Sequence, residues 1–199
     1  MDAFAMHRAA VAVWLDRVDH VDHVGEDRWA APTPCAEWDV RQLVQHIVGE
    51  ELWLPPLMEG QTIAEVGDRF EGDLLGDDPV GATRRAAKAA VESTPPDGDQ
   101  RRIVHLSFGD VPAEEYAHQL AADHLIHAWD LAAGTGGDRD LPADLVAAVA
   151  AWFAEREAAY RSIGAIGEPV PLPDGAGAQD RLLAAFGRDP RWAAPTSST

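Results

Sequence analysis

The sequence predicts an all-α protein, a four-helix bundle with one marginal short strand and an extended C-terminal tail. Three observations predict it. Long stretches carry apolar residues at spacings of three, four and seven, the stripe that an amphipathic helix turns toward a core. Gly, Pro-Pro and Asp-Pro punctuate these stretches at helical rather than strand lengths. Only "RRIVHLSF" has the β-branched, alternating character of a strand, and one strand cannot build a sheet. A chain of 199 residues that is 46% hydrophobic can bury one substantial core. Residues 1–190 are therefore expected to form a single helical domain, with 191–199 as a mobile tail.

The first helix is expected from Ala3 to Val24, burying Phe4, Val11, Trp14, Leu15 and Val18 and ending at Gly25. Pro32 and Pro34 make the next segment, "EDRWAAPTPCAEW", an ordered loop anchored by Trp29 and Trp38. Asp39 followed by Gln42 is a capping box, in which each side chain satisfies a free backbone N–H of the helix start. The helix it opens carries Val40, Leu43, Val44, Ile47 and Leu54 on one side and should stop near Trp53, before Pro55 and Pro56. Thr62 with Glu65 marks a further cap, and Asp78-Pro79 starts a helix through Val91. After the marginal strand, Pro112 in a first turn opens a helix to about Ala133, stopped by "GTGGD". A last long helix, Pro142 to Arg161, should bury Leu145, Val149, Trp152 and Phe153, and the Pro- and Gly-rich tail holds one short helix from Gln179 to Phe186.

Sixteen basic against 34 acidic residues give a net charge of -18, which repels phosphate backbones and anionic headgroups. Nucleic acid and membrane surfaces are thus excluded as partners; cationic partners or solubility account for the charge. Cys35 is the only cysteine, so no intrachain disulfide forms. The N-terminal stretch has scattered charges and no apolar run of signal-peptide type, and no segment reaches 18 consecutive apolar residues. A cytoplasmic location is expected.

The chemistry concentrates in "DHLIHAWD", residues 123–130, where a core-forming helix carries two Asp and two His within two turns. Burying such groups is costly unless something satisfies them. Residues four apart share a helix face, so Asp123 and His127 can reach one ion, with Asp130 nearly in line. His124 is rotated by about 100° from Asp123 and faces a neighbouring helix or solvent. A mixed His and carboxylate site needs a third protein ligand. His46, beside Leu43 and Ile47 on the second helix, should point inward and supply it. Glu50, four residues on, is either a further ligand or the acceptor that fixes an imidazole tautomer; Asp130 is either that acceptor or the partner of an Arg. The alternative to a metal is a hydrogen-bonded polar network across the bundle. Cys35 beside Trp38 reads as a packing residue in preference to a reactive thiol. "VDHVDH", with His20 and His23, reads as a solvated helix end in preference to a second metal site. His105 and His118 have no partner spacing, and Trp129 packs between helices.

Three stretches, "APTPCAEWDVRQLVQHIVGEELW", "YAHQLAADHLIHAWDLAAGTG" and "PVPLPDGAGAQDRLLAAFGRDPRW", resemble the metal-binding proteins of the DinB/YfiT superfamily. In particular the chain is similar to the actinobacterial group related to the N-terminal domain of mycothiol-dependent maleylpyruvate isomerase. The resemblance implies a four-helix bundle with His46, Asp123 and His127 as ligands of a divalent ion. It also implies a low-molecular-weight thiol cofactor, mycothiol or a relative, and a small-molecule substrate. The donor set suits zinc or nickel first, then cobalt, manganese or iron(II). The chain departs from the isomerase in having Asp rather than Glu at 123, and in having too few residues for the isomerase's additional C-terminal domain. Two functions follow: a metal-dependent thiol S-transferase or isomerase acting on a small electrophile, or a non-catalytic metal- or small-molecule-binding module on the same scaffold. Homodimerisation through an exposed helical face is a partner option common to such bundles.

Overall fold

The computed structural model describes residues 1–195, so positions 196–199 of the expected mobile tail lie outside the described residues. Eight helices and one hairpin are found among them: α1 (Ala3–Val24), α2 (Val40–Met58), α3 (Ile63–Val66), α4 (Pro79–Ser93), β1 (Ile103–Leu106), β2 (Gly109–Pro112), α5 (Ala113–Thr135), α6 (Ala143–Ala154), α7 (Glu157–Ser162) and α8 (Ala178–Ala185). The all-α class expected from periodicity is the class observed. Helices α1, α2, α4 and α5 close a ring in which α1 packs on α5 and α4, and α2 on the same two. A second layer, α6 and α8, covers the outer face of this ring. None of the described helices is long and apolar enough to cross a membrane.

The caps sit where the side chains demand them. Asp2 accepts from the Ala5 N–H at 2.8 Å, and Gly25 ends α1 with φ +107°. Asp39 accepts from Gln42 N at 2.8 Å while Gln42 Oε1 accepts from Asp39 N at 3.0 Å, the reciprocal pair expected. Thr62 and Glu65 repeat it at α3. The apolar stripes become three buried clusters. One joins Met6 and Ala10 of α1 to Leu125, Trp129, Val149 and Leu183. Another gathers Trp14, Val18, Leu43, Ile47 and Leu131, and a third centres on Phe4, Leu54, Val104 and Leu120. Leu15, expected inside, is only half-buried.

Three boundaries depart from the expectation. Helix α2 runs through Pro55 and Pro56 to Met58. The prolines remove donors only in its final turn, where burial of Leu54, Pro56, Leu57 and Met58 holds the chain in register. The strand has a partner: β1 pairs antiparallel with β2, Ile103 opposite Pro112 and Leu106 opposite Gly109. "GDVP" is too short and too polar to announce itself by alternation. Pro112 therefore closes β2 and sits one residue ahead of α5. The last long helix is broken into α6 and α7. Arg156 donates through Nη1 to the Trp152 carbonyl at 2.9 Å, taking the acceptor its own backbone N–H would use, and that N–H turns to the Phe153 carbonyl at 2.8 Å. Its guanidinium is anchored on Glu115 of α5 at 2.8 Å.

Candidate metal centre

Helix α2 presents His46 and helix α5 presents Asp123 and His127 to one point between them. His46 Nε2 lies 3.0 Å from Asp123 Oδ2, and His127 Nε2 lies 3.3 Å from Asp123 Oδ1. The two rings stand edge to face, 5.2 Å apart. The three residues named from the sequence are thus brought together, with one ligand atom from each within 4.8 Å of the others. Four-coordinate ligands held at 2.0–2.1 Å from a zinc ion stand about 3.3 Å apart, so the donor spacing and the mixed nitrogen and oxygen set fit a divalent ion with small adjustment.

His127 is nearly buried, with 7% of its side chain exposed, whereas His46 and Asp123 keep 27% and 32%. The open side belongs to a pocket of about 340 Å³ walled by Cys35, Trp38, Ala165 and Arg188. The Trp38 ring covers His46 at 4.7 Å and His127 at 5.7 Å, which keeps one flank of the imidazoles out of water.

Behind the ligands, His127 Nδ1 donates to Asp130 Oδ2 at 2.9 Å. Asp130 is fully buried and also accepts from Arg188 Nη2 at 3.0 Å, so it both orients the imidazole and pairs with an arginine. Arg188 further donates to Cys35 Sγ at 2.9 Å, and Cys35 Sγ reaches Asp130 Oδ2 at 3.2 Å. Cys35 packs against the second apolar cluster, as a packing residue should, but it also lines the pocket. Cys35, His127 and Asp130 form a second group with metal-ligand spacing. The Arg188 guanidinium already supplies a positive charge there.

Electrostatics reflect this crowding. Desolvation works to raise the Asp123 carboxyl, yet the charges and hydrogen bonds of His127 and His46 hold it well below the usual range. Desolvation likewise disfavours charged His127, but Asp123, Asp130 and Cys35 hold it well above the ordinary histidine value. Burial, then the Asp123 charge, raises Glu50. Glu50 does not join the converging ligand atoms; it lines a separate pocket nearer the hairpin.

The other candidates separate cleanly. His124 faces inward from another side of α5, donating Nδ1 to the Leu120 carbonyl at 2.7 Å and pairing through Nε2 with buried Glu51 at 3.2 Å. His20 and His23 line a shallow acidic pocket and belong to no group of metal-ligand spacing among the described residues. His105 pairs with Asp110 across the hairpin at 2.7 Å, His118 stacks on Trp152, and Trp129 is buried. Sequence reasoning names neither Glu51 nor Arg188. Buried Asp130 demands a counter-charge, but no spacing reveals which arginine, 58 residues away, provides it.

Comparison with known proteins gives the family. The family model for the mycothiol maleylpyruvate isomerase N-terminal domain matches residues 8–132, a span that contains His46, Asp123 and His127. Uncharacterized proteins from two strains of Mycobacterium tuberculosis are each 32% identical over 173 residues, covering 85% of this chain and 90% of theirs. No solved structure matches the chain.

Proposed function

The chain belongs to the mycothiol maleylpyruvate isomerase N-terminal domain family, within the DinB/YfiT-like superfamily, and from that premise we propose that it binds a divalent metal ion through His46, Asp123 and His127 and uses it to activate a low-molecular-weight thiol of the mycothiol type. The reaction is S-transfer to, or isomerisation of, a small electrophile. The observation that carries this reading is the convergence of two imidazole nitrogens on the two oxygens of one partly exposed carboxylate, at 3.0 and 3.3 Å, on the floor of an open pocket. Zinc or nickel suits the donor set best.

An ion held there would supply the positive charge that keeps a thiol deprotonated near neutral pH. The protein's own groups do the rest. Asp130 holds the His127 Nδ1 proton, so Nε2 is the nitrogen left to face the pocket. Arg188 holds Asp130 in turn, and Trp38 shields the two imidazoles. The pocket of about 340 Å³ over the ligands would admit the thiol end of such a cofactor to the ion's open side.

Elemental analysis after purification without chelator should find close to one equivalent of a divalent transition metal, and His46→Ala should lose it while keeping its helical circular dichroism. Adding millimolar thiol to the cobalt-substituted protein should produce a sulfur-to-metal charge-transfer band. Retention of metal without that band would leave a binding module and remove the thiol chemistry. A protein free of metal would reduce the site to a polar network.

A further inference from the structure

A second pocket of about 340 Å³ opens between α2, α5 and the hairpin, lined by Glu50, Trp53, Leu106, Phe108, Tyr116 and Gln119 among others. It draws on the same two helices as the candidate metal centre. Glu50 lies four residues beyond His46 on α2 and Gln119 four residues before Asp123 on α5, one turn, or about 6 Å, from the ligands on each helix. Its walls are anchored: Thr62 bridges to His105 of the hairpin, and Trp53 is braced edge-on by Phe70 at 5.7 Å.

The chemistry of this lining is unusual for a surface hollow. Three aromatic rings, Trp53, Phe108 and Tyr116, share the lining with a single carboxylate, and no Lys, Arg or His is among the lining residues. No described residue donates a hydrogen bond to Glu50, whereas the buried or half-buried carboxylates beside it have partners: Glu51 pairs with His124, Asp123 with His46 and His127, and Asp130 with Arg188. Phe108 stands 67% exposed at the hairpin tip, an aromatic face turned out with nothing packed over it. Aromatic faces and a carboxylate together attract an organic cation, which also offsets the burial and the Asp123 charge that disfavour ionised Glu50; an uncharged ligand of the same shape does neither. The net charge of -18 adds a long-range field of the right sign.

We propose that this pocket binds a small alkylammonium group, with Glu50 as counter-ion and Trp53, Phe108 and Tyr116 as the surrounding aromatic faces. The inference is independent of the metal reading, because none of the three proposed metal ligands lines this pocket.

Titration calorimetry on chelator-treated protein tests it with choline and its uncharged carbon isostere, 3,3-dimethylbutanol. Choline is expected to bind at least tenfold more tightly than the isostere. Glu50→Gln should erase that preference, and Phe108→Ala, at an exposed site that leaves the fold intact, should weaken choline several-fold. Equal binding of the two ligands, an unchanged preference in Glu50→Gln, or no binding of choline at millimolar concentration would each overturn the proposal. Because the metal is absent throughout, failure here says nothing against the metal centre.

Discussion

His127 carries two duties on one ring, Nε2 toward the candidate ion and Nδ1 toward Asp130. An imidazole free to rotate would present its ligand nitrogen only part of the time, so the buried carboxylate behind it sets how well the site is organised. Asp130→Asn keeps an acceptor but loses the charge, and it should weaken metal binding by about tenfold to a hundredfold, read by competition with a chromophoric chelator. Unchanged affinity would mean that Arg188 and the packing alone hold the ring. A different residue, His7, is expected to contribute to acid sensitivity. Burial, reinforced by the nearby positive charges of His124 and Arg8, lowers its pKa from 6.5 to about 3. Between those values the unfolded chain takes up a proton that the folded chain refuses, so stability falls as pH drops below 6.5. The limiting slope is about 1.4 kcal/mol per pH unit for one such group. His7→Asn keeps a partner for Thr94 and removes the titration. Its urea midpoint should therefore converge on, or pass, that of the parent as pH is lowered from 6.5 toward 4. Parallel loss in both proteins would assign acid sensitivity to other groups.

At the scale of elements, the legible features were local ones. Capping boxes at Asp39 and Thr62, the stripe through Val40, Leu43, Val44 and Ile47, and the glycine stop after α1 all arise from neighbours within a turn, and all are found where the sequence places them. His46, Asp123 and His127 could be named together because two of them share one helix face, the third sits on an apolar stripe, and the whole pattern resembles a known family. What escaped depends on distant partners. The break between α6 and α7 is imposed by Arg156 reaching across to Glu115, and the wall of the pocket depends on Arg188 finding Asp130. No periodicity encodes either pairing. In the sequence Cys35 reads as packing, because a loop position beside Trp38 shows nothing of the arginine that lies against it in space. The cap of α2 gives a direct test of the local logic. Asp39→Ala leaves the Gln42 N–H unpaired and should cost about 1 kcal/mol, seen as a lower urea midpoint with an unchanged slope. Because His46 sits two turns further along, inside the packed part of α2, metal affinity in this variant should not move.

For the whole molecule, the question is whether the C-terminal layer belongs to the bundle or merely follows it. The family match ends at residue 132, yet Leu182 and Leu183 of α8 are buried against α5 and α6, and Phe186 stacks on Phe153 at 4.0 Å. Polar ties run the same way. Gln179 bridges the Leu141 amide and the Arg139 carbonyl, Arg139 donates to the Trp192 carbonyl at 2.8 Å, and Arg188 closes on Asp130. These contacts reach both the core and the back of the candidate metal centre, so we propose that bundle and C-terminal layer unfold as one cooperative unit. Leu183→Ala tests this, since deleting a fully buried leucine costs about 2–5 kcal/mol and does so here 140 and 136 residues along the chain from Leu43 and Ile47. If the unit is single, far-ultraviolet circular dichroism and tryptophan fluorescence should shift together by that amount, with coincident transitions. A divalent ion bound as proposed should also dissociate along the same curve, because the layer that loses Leu183 is the one that carries Arg188. Separate transitions, with the bundle and its metal surviving after the C-terminal layer has melted, would instead make residues up to 135 an autonomous domain with a detachable cover.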